Sequence, residues 1–280
     1  MGYRYTVVVD QFPITDKVEA ISWMKKEKEL NYKQSYIRDM YSSTEVDNME
    51  KASFVNDVNW KKRTVDGIKY RDPDYNCDRL YNDVNEVFFK GNLKKDSDVY
   101  DKKQLVLLQD GIKLTTDYIG PSLTSMKRAG IPDCETWDCI LKCRTIGGHL
   151  VWPRVKYGIN PSKAASGRRG YGISDRIDIA LYEIKCVLDG KTEMPVYNTR
   201  LRKSITEIEE NKKWFEGKTF DDFCKDFYLK GSFVDEHTEI IWFADPILGK
   251  IDERTMRLYM ENNINAINKR NGFIYSCDIE

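Results

Sequence analysis

The sequence predicts a mainly α-helical α+β fold with a β-hairpin and short strands. Three observations lead there. Apolar residues recur at helical spacing in segment after segment from residue 78 onward. KQLVLLQDGIKLTTDYI (103–119) sets two apolar runs around Asp110-Gly111, the pair a tight hairpin turn prefers. The other β signals, YRYTVVV (3–9), HLVWPRV (149–155) and EIIWF (239–243), are short and scattered.

In chain order, YRYTVVV reads as a strand ended by the turn-like QFP. DKVEAISWMKKEKEL (16–30) then places Val18, Ile21, either Trp23 or Met24, and Leu30 on a roughly helical stripe. From there to Arg71 the sequence is polar and weakly periodic, either partly helical or a surface segment. RDPDYNCDRLYNDVNEVFFKG (71–91) supplies a turn, then a helix with Leu80, Val84, Val87 and Phe88 on one face and Gly91 at its end. After the hairpin, LTSMKRAG (123–130) is helical, with Gly130 and Pro132 as stop signals. DCETWDCILKCRTI (133–146) is a second helix, with Trp137, Ile140, Leu141 and Arg144 towards the core. NPSKAASGRRGYG (160–172) reads as an irregular loop, after which Ser174 caps a long helix through Leu188. Helices in SITEIEENKKWF (204–215), FDDFCKDFYLKGSFV (220–234) and DERTMRLYMENNINAINKR (252–270) complete the chain. No repeat and no Pro- or Ser-rich linker divides it. The simplest organisation is a single domain over 1–280, with a less regular N-terminal subdomain at 1–72 and a helical body at 73–280.

Composition bounds the partners. The 45 basic and 45 acidic residues cancel, so attraction to nucleic acid or membrane must come from a local patch. Seven cysteines, odd in number and without a CxxC pair, point to reduced, mostly buried thiols and a cytoplasmic location. MGYRYTVVVDQF lacks the apolar core of a signal peptide, and no stretch approaches the ~20 apolar residues needed to span a bilayer. MGYRYT fits the Met-Gly-x-x-x-Ser/Thr acylation pattern, but with no polybasic second anchor the match reads as coincidence.

The ordered blocks LTTDYIGPS (114–122), RTIGGHLVWP (144–153), Ile159-Asn160, a glycine-bearing basic loop and SDRIDIALYEIK (174–185) resemble an uncharacterised group of bacterial proteins. Its members carry DYIGPS, a T-I-G-G/N block ending in an apolar-Pro pair, an Asn with a nearby Arg-Gly, and a D-R/Y-x-D-x-x-L helix. The match covers about residues 75 to 245. One departure is the loop, NPSKAASGRRG where a shorter Asn-x-x-Arg-Gly is expected. The resemblance implies a bacterial cytoplasmic protein and carries no established activity.

The chemistry therefore rests on the residues. Arg144 and His149 have the Arg-x4-His spacing of HEPN-type ribonucleases, in which histidine moves protons and arginine steadies a phosphate without a metal. That reading needs one helical turn from 144 to 149, yet each interior glycine costs a helix about 1 kcal/mol. Gly147-Gly148 fits a helix C-cap and exit better, with His149 opening a strand. Lys156, Lys163, Arg168 and Arg169, interleaved with Tyr157 and Tyr171, suit phosphates and stacked bases, or else form a solvated loop. Asn160, Arg176, Asp117, Tyr118 and Ser122 complete the candidate substrate-binding set, although Gly120-Pro121 equally marks a plain turn.

Asp178, Glu183 and Lys185 imitate a metal-nuclease order but read better as helix surface. Cys139 and Cys143 read as core, as do Phe220, Phe223, Phe227 and Phe233, while His237 reads as exposed. No metal and no cofactor is called for. The leading expectation is a bacterial intracellular effector, of toxin or phage-defence type, cleaving RNA through Arg144 and His149. The alternatives are a transferase or hydrolase using NAD or ADP-ribose, and a non-catalytic ligand- or protein-binding module. The expected partners are RNA or a nucleotide, and a second copy in a homodimer.

Overall fold

The computed structural model describes residues 64–65, 68–69, 78–97, 105–154, 173, 176–191, 193–241 and 252–276. The expected strand at 3–9, the helix at 16–30, the Ser174 cap and the loop at 160–172 lie outside them. The fold is α+β and mainly helical.

Two short strands, β1 (Thr64–Val65) and β2 (Ile68–Lys69), pair antiparallel within the stretch that reads as polar and weakly periodic. Helix α1 (Asp78–Phe89) buries Leu80, Tyr81 and Val84 and ends at Lys90 and Gly91, both at positive φ. The main sheet is antiparallel, in the order β3 (Lys94–Ser97), β4 (Leu105–Gln109), β5 (Ile112–Tyr118) and β6 (His149–Pro153). β3 escapes the sequence pattern because KKDS has no apolar alternation; exposed Lys94 and Lys95 suit an edge strand. The β4–β5 turn is the expected one. Asp110 (φ 49°) and Gly111 (φ 80°) both adopt the left-handed conformation that such a hairpin demands.

Between β5 and β6 the chain makes α2 (Leu123–Arg128) and α3 (Asp133–Cys143), then returns so that Tyr118 pairs with His149 and Leu114 with Pro153. One sheet face carries Thr115, bonded to Tyr81 Oη at 2.9 Å, and Trp152, stacked on Phe223 at 6.1 Å. Strand alternation sends Tyr118 and His149 to the other face, away from those residues.

Helix α4 (Ile177–Leu188) begins later than expected, with Arg176 as its N-cap residue. SITEIEENKKWF is not one helix but the end of α5 (Thr199–Glu207) and all of α6 (Glu209–Phe215), divided at Ile208 in extended conformation. Asn211 Nδ2 crosses that break to Ser204 O (2.9 Å) and Oγ (2.8 Å), holding the corner. Helix α7 (Phe220–Asp226) starts at a Thr219/Asp222 capping box and stops well short of Val234. Phe220, Phe223, Phe227 and Phe233 are all core, as their spacing foretold, and His237 is exposed. Only the start of EIIWF is described, with Ile240 bridging Val234.

Helix α8 (Glu253–Ser276) packs along α3 and the segment that follows it. Its buried stripe mixes Met256, Met260, Ile267 and Ile274 with Asn263, Arg270 and Asn271. The last three side chains build the candidate site.

Candidate functional site

The site begins where α3 ends. Arg144 N still bonds Ile140 O at 2.8 Å, Thr145 is extended, and Ile146–Gly148 forms one 3₁₀ turn leading into β6. The α-helix thus stops before the glycines and His149 opens a strand, so no α-helical turn joins Arg144 to His149. The glycines are not left-handed caps, however, since neither has positive φ. They permit close approach. A Cβ on Gly147 would lie 2.5 Å from Asn271 Oδ1 and 2.8 Å from Ile267 O, and one on Gly148 would overlap the Cys143 carbonyl oxygen. Asn271 ties the turn to α8, accepting from Gly147 N at 2.7 Å and donating to Thr145 Oγ1 at 2.8 Å.

Arg144 and His149 do come together, inside the protein. Arg144 is 3 % exposed and His149 0 %. His149 Nδ1 lies 2.8 Å from Thr145 O, a carbonyl that only accepts, so Nδ1 carries the proton. Nε2 is then the acceptor facing Arg144 Nη1 at 3.4 Å. Both ring nitrogens are therefore engaged by the protein. The Arg144 guanidinium also lies 4.1 Å over the Tyr118 ring, and Tyr118 sits 5.8 Å from the imidazole. Burial pushes the Tyr118 phenol well above its ordinary pKa, helped by Cys143 and Cys139 and opposed by Arg144. The phenol also folds back over Gly120, where a Cβ would collide with it, so the glycine of DYIGPS has a packing role.

Arg270, which sequence reasoning missed, supports this cluster from behind. It is 0 % exposed; Nε donates to Phe227 O (2.8 Å), and Nη1 to Gly147 O (2.8 Å) and His149 O (2.7 Å). Nη2 is buried with no hydrogen-bond partner among the described residues, and burial pulls the guanidinium pKa down to about 9. Asn263 adds a second tie, donating to Ile119 O at 3.1 Å. The available signal was a polar run, NNINAINKRN, whose period puts some polar side chains on the core stripe.

The other candidates scatter. Asp117 pairs in register with Leu150 and so projects from the sheet face opposite Tyr118 and His149. Ser122 is half-buried at the start of α2, its carbonyl accepting from Met126 N at 3.0 Å. Asn160, Lys163, Arg168, Arg169 and Tyr171, with Lys156 and Tyr157, lie outside the described residues. Arg176 is buried in an ion pair with Asp178, its Nε donating to Oδ1 at 3.0 Å, and lies 5.9 Å over the Tyr259 ring.

The helix-surface reading of Asp178, Glu183 and Lys185 is corrected: all three are buried. The reason is that α4 is enclosed nearly all round, so each charge is held by its own partner, Arg176 for Asp178, Arg202 for Glu183 and the exposed Glu239 for Lys185. Asp178 pairs with Arg176. Glu183 accepts from Tyr197 N, Asn198 N and Arg202 Nε at 2.6 to 2.8 Å. Lys185 Nζ donates to Thr238 O (2.9 Å) and Glu239 Oε1 (2.6 Å). Three separate partnerships do not make a metal centre, and among the described residues no group of His, Cys, Asp or Glu could hold a metal. Cys139, Cys143, Cys186 and Cys224 are buried thiols outside any disulfide.

The Arg176–Asp178 pair yields a prediction. Burial raises the Asp178 pKa above its ordinary value while the bond to Arg176 opposes it, so the pair is held against a desolvation cost. Asp178→Ala alone removes the carboxylate that pairs with a buried guanidinium and lowers stability by about 3–5 kcal/mol, whereas Arg176→Met with Asp178→Leu costs much less than the summed single changes. Urea melts of the two single variants and the double variant at neutral pH measure the difference; additive losses would mean the charges do not interact.

The chain belongs to DUF6994, a family of unknown function whose model matches residues 54–274. No curated protein and no solved structure matches it. No helix among the described residues is long and apolar enough to cross a membrane.

Proposed function

We propose that the protein is a non-catalytic binding module in which Arg144, His149 and Tyr118 form a structural lock. In this reading the basic, aromatic 156–171 segment takes a phosphate-bearing ligand, RNA or a nucleotide. The observation that carries it is the state of His149. Its ring is fully buried, Nδ1 donates to a backbone carbonyl and Nε2 faces Arg144, so neither nitrogen is presented to an incoming ribose or phosphate. A general base needs such a position. A second reading, metal-independent RNA cleavage, is favoured by the assembled pair itself, with Arg144 Nη1 3.4 Å from His149 Nε2.

One set of measurements separates the two. Fluorescently labelled single-stranded RNA, NAD and ADP-ribose are tested for binding and for turnover with wild type, His149→Ala, and Arg168→Ala with Arg169→Ala. Expected is binding without turnover. The double arginine variant loses affinity by about tenfold or more with unchanged melting temperature, as removal of two phosphate contacts implies. His149→Ala loses about 2–4 kcal/mol of stability through a cavity and stranded polar groups. RNA cleavage that disappears in a fully stable His149→Ala would replace the module with the ribonuclease. Wild-type protein that binds none of the three ligands would remove the phosphate-bearing partner.

A further inference from the structure

We propose that the cleft beside the C-terminal half of α4, about 190 Å³ in volume, binds a flat, single-ring organic monoacid. This site shares no residue with the lock and does not depend on the reading above. One wall is built by Tyr182, Lys185 and Cys186, which helical spacing places on one face of α4. The facing walls come from Met194, in the segment after α4, and from Ile240, at the end of the 235–240 turn.

Three arguments define the occupant. The first is size. A protein cavity of about 150 Å³ accommodates benzene, so this volume suits one ring and one substituent. The second is apolar character. Of the five large hydrophobic side chains exposed among the described residues, Met194, Val196 and Ile241 lie in the two segments that border this cleft. The Tyr182 ring is fixed for stacking by its hydroxyl, which donates to Pro195 O at 3.2 Å, and by Tyr197, 5.1 Å away. A ring between Tyr182 and Met194 would cover surface that is otherwise unfavourably exposed.

The third argument is charge. The ionised side chains lining the cleft are Lys185 and Lys191 against Glu239, an excess of one cation. Among the described residues Lys185 Nζ has two hydrogen-bond acceptors, Thr238 O and Glu239 Oε1, for its three N–H donors, and lies 6.0 Å from the Phe220 ring. Lys191 is half exposed and only loosely paired, 3.8 Å from Asp189. A carboxylate between the two ammoniums adds an acceptor to Lys185, while Glu239, which also lines the cleft, disfavours a second negative charge. The backbone is also held in strain to place Lys185. Thr238, a β-branched residue, sits at φ 64°, kept there by Asp235 Oδ1, which accepts from His237 N (2.9 Å) and Glu239 N (2.8 Å).

The test titrates benzoate, benzyl alcohol and benzylamine into the full chain, followed by thermal shift and calorimetry. Benzoate is expected to raise the melting temperature with concentration, and the neutral and cationic probes to do so at most weakly. Lys191→Ala should weaken benzoate by about tenfold, the effect of losing one charge-assisted contact, with the melting temperature of the unliganded variant unchanged. Met194→Ser should weaken all binding at this cleft. No response to benzoate at about 10 mM, a concentration at which a 1 mM ligand binds some 90 %, overturns the proposal. Equal response to all three probes, or unaltered affinity in Lys191→Ala, overturns it too.

Discussion

Alanine at position 148 is expected to leave the protein unfolded. A Cβ there would occupy the position of the Cys143 carbonyl oxygen, a backbone atom that no rotamer change can move. Relief requires either withdrawing the last turn of α3 or pushing the 3₁₀ turn outward, and both routes are blocked. Arg144 N is bonded to Ile140 O and Gly148 N to Thr145 O, while Gly147 is pinned to Asn271 and the carbonyls of Gly147 and His149 to Arg270. The substitution therefore breaks several buried hydrogen bonds together and costs more than about 4 kcal/mol, beyond what most domains have in reserve. Gly147→Ala should be the milder change. Its nearest obstacle is the Asn271 side chain, though Ile267 O at 2.8 Å still keeps it destabilising. Expression yield, circular dichroism and urea melts of the two variants check the ranking; a Gly148→Ala protein within 1 kcal/mol of wild type would show that the turn moves freely.

That pair of glycines also marks how far the sequence can be read. The exit from helix to strand was legible, because two glycines are poor helix residues and HLVWP has strand composition. The reason for them was not. Gly148 is needed against a carbonyl five residues back in a turn of unforeseen type, and Gly147 against a helix 124 residues later in the chain. The hairpin was legible for the opposite reason: Asp110 and Gly111 state their backbone requirement locally. The Arg144/His149 partnership was visible as a spacing, but its burial depends on Thr145 O and on α8, which no local pattern reports. Asp178, Glu183 and Lys185 misled because charge on a helix is ordinarily solvated. Only the enclosure of α4 by the 193–198 segment, α5 and the 235–239 turn, together with Arg176, gives each one a bonded partner of opposite charge.

Arg270 carries the second large effect, and its sign is not obvious in advance. The buried guanidinium has no carboxylate paired with it among the described residues, and burial draws its pKa down, so the charge itself opposes folding. Replacing a buried charge by a hydrophobic side chain is often neutral or stabilising. Here the acceptors decide against that outcome. Phe227 O, Gly147 O and His149 O belong to the end of α7, the 3₁₀ turn and the start of β6, and one side chain from α8 bonds all three. Each buried carbonyl left without a donor costs about 1–3 kcal/mol, so three outweigh the several kcal/mol recovered by removing one desolvated cation. Arg270→Ala adds a cavity beneath Phe88, over whose ring the guanidinium lies at 5.2 Å, and should lose about 4–5 kcal/mol. Arg270→Met restores the volume without donors and should lose roughly half as much. Arg270→Lys keeps the charge but gives up the planar fork that spans three elements, and should fall with Met rather than with wild type. Urea melts of the three variants at neutral pH give the order; a methionine variant as stable as wild type would mean that the three carbonyls find other donors and that the arginine is dispensable to the lock.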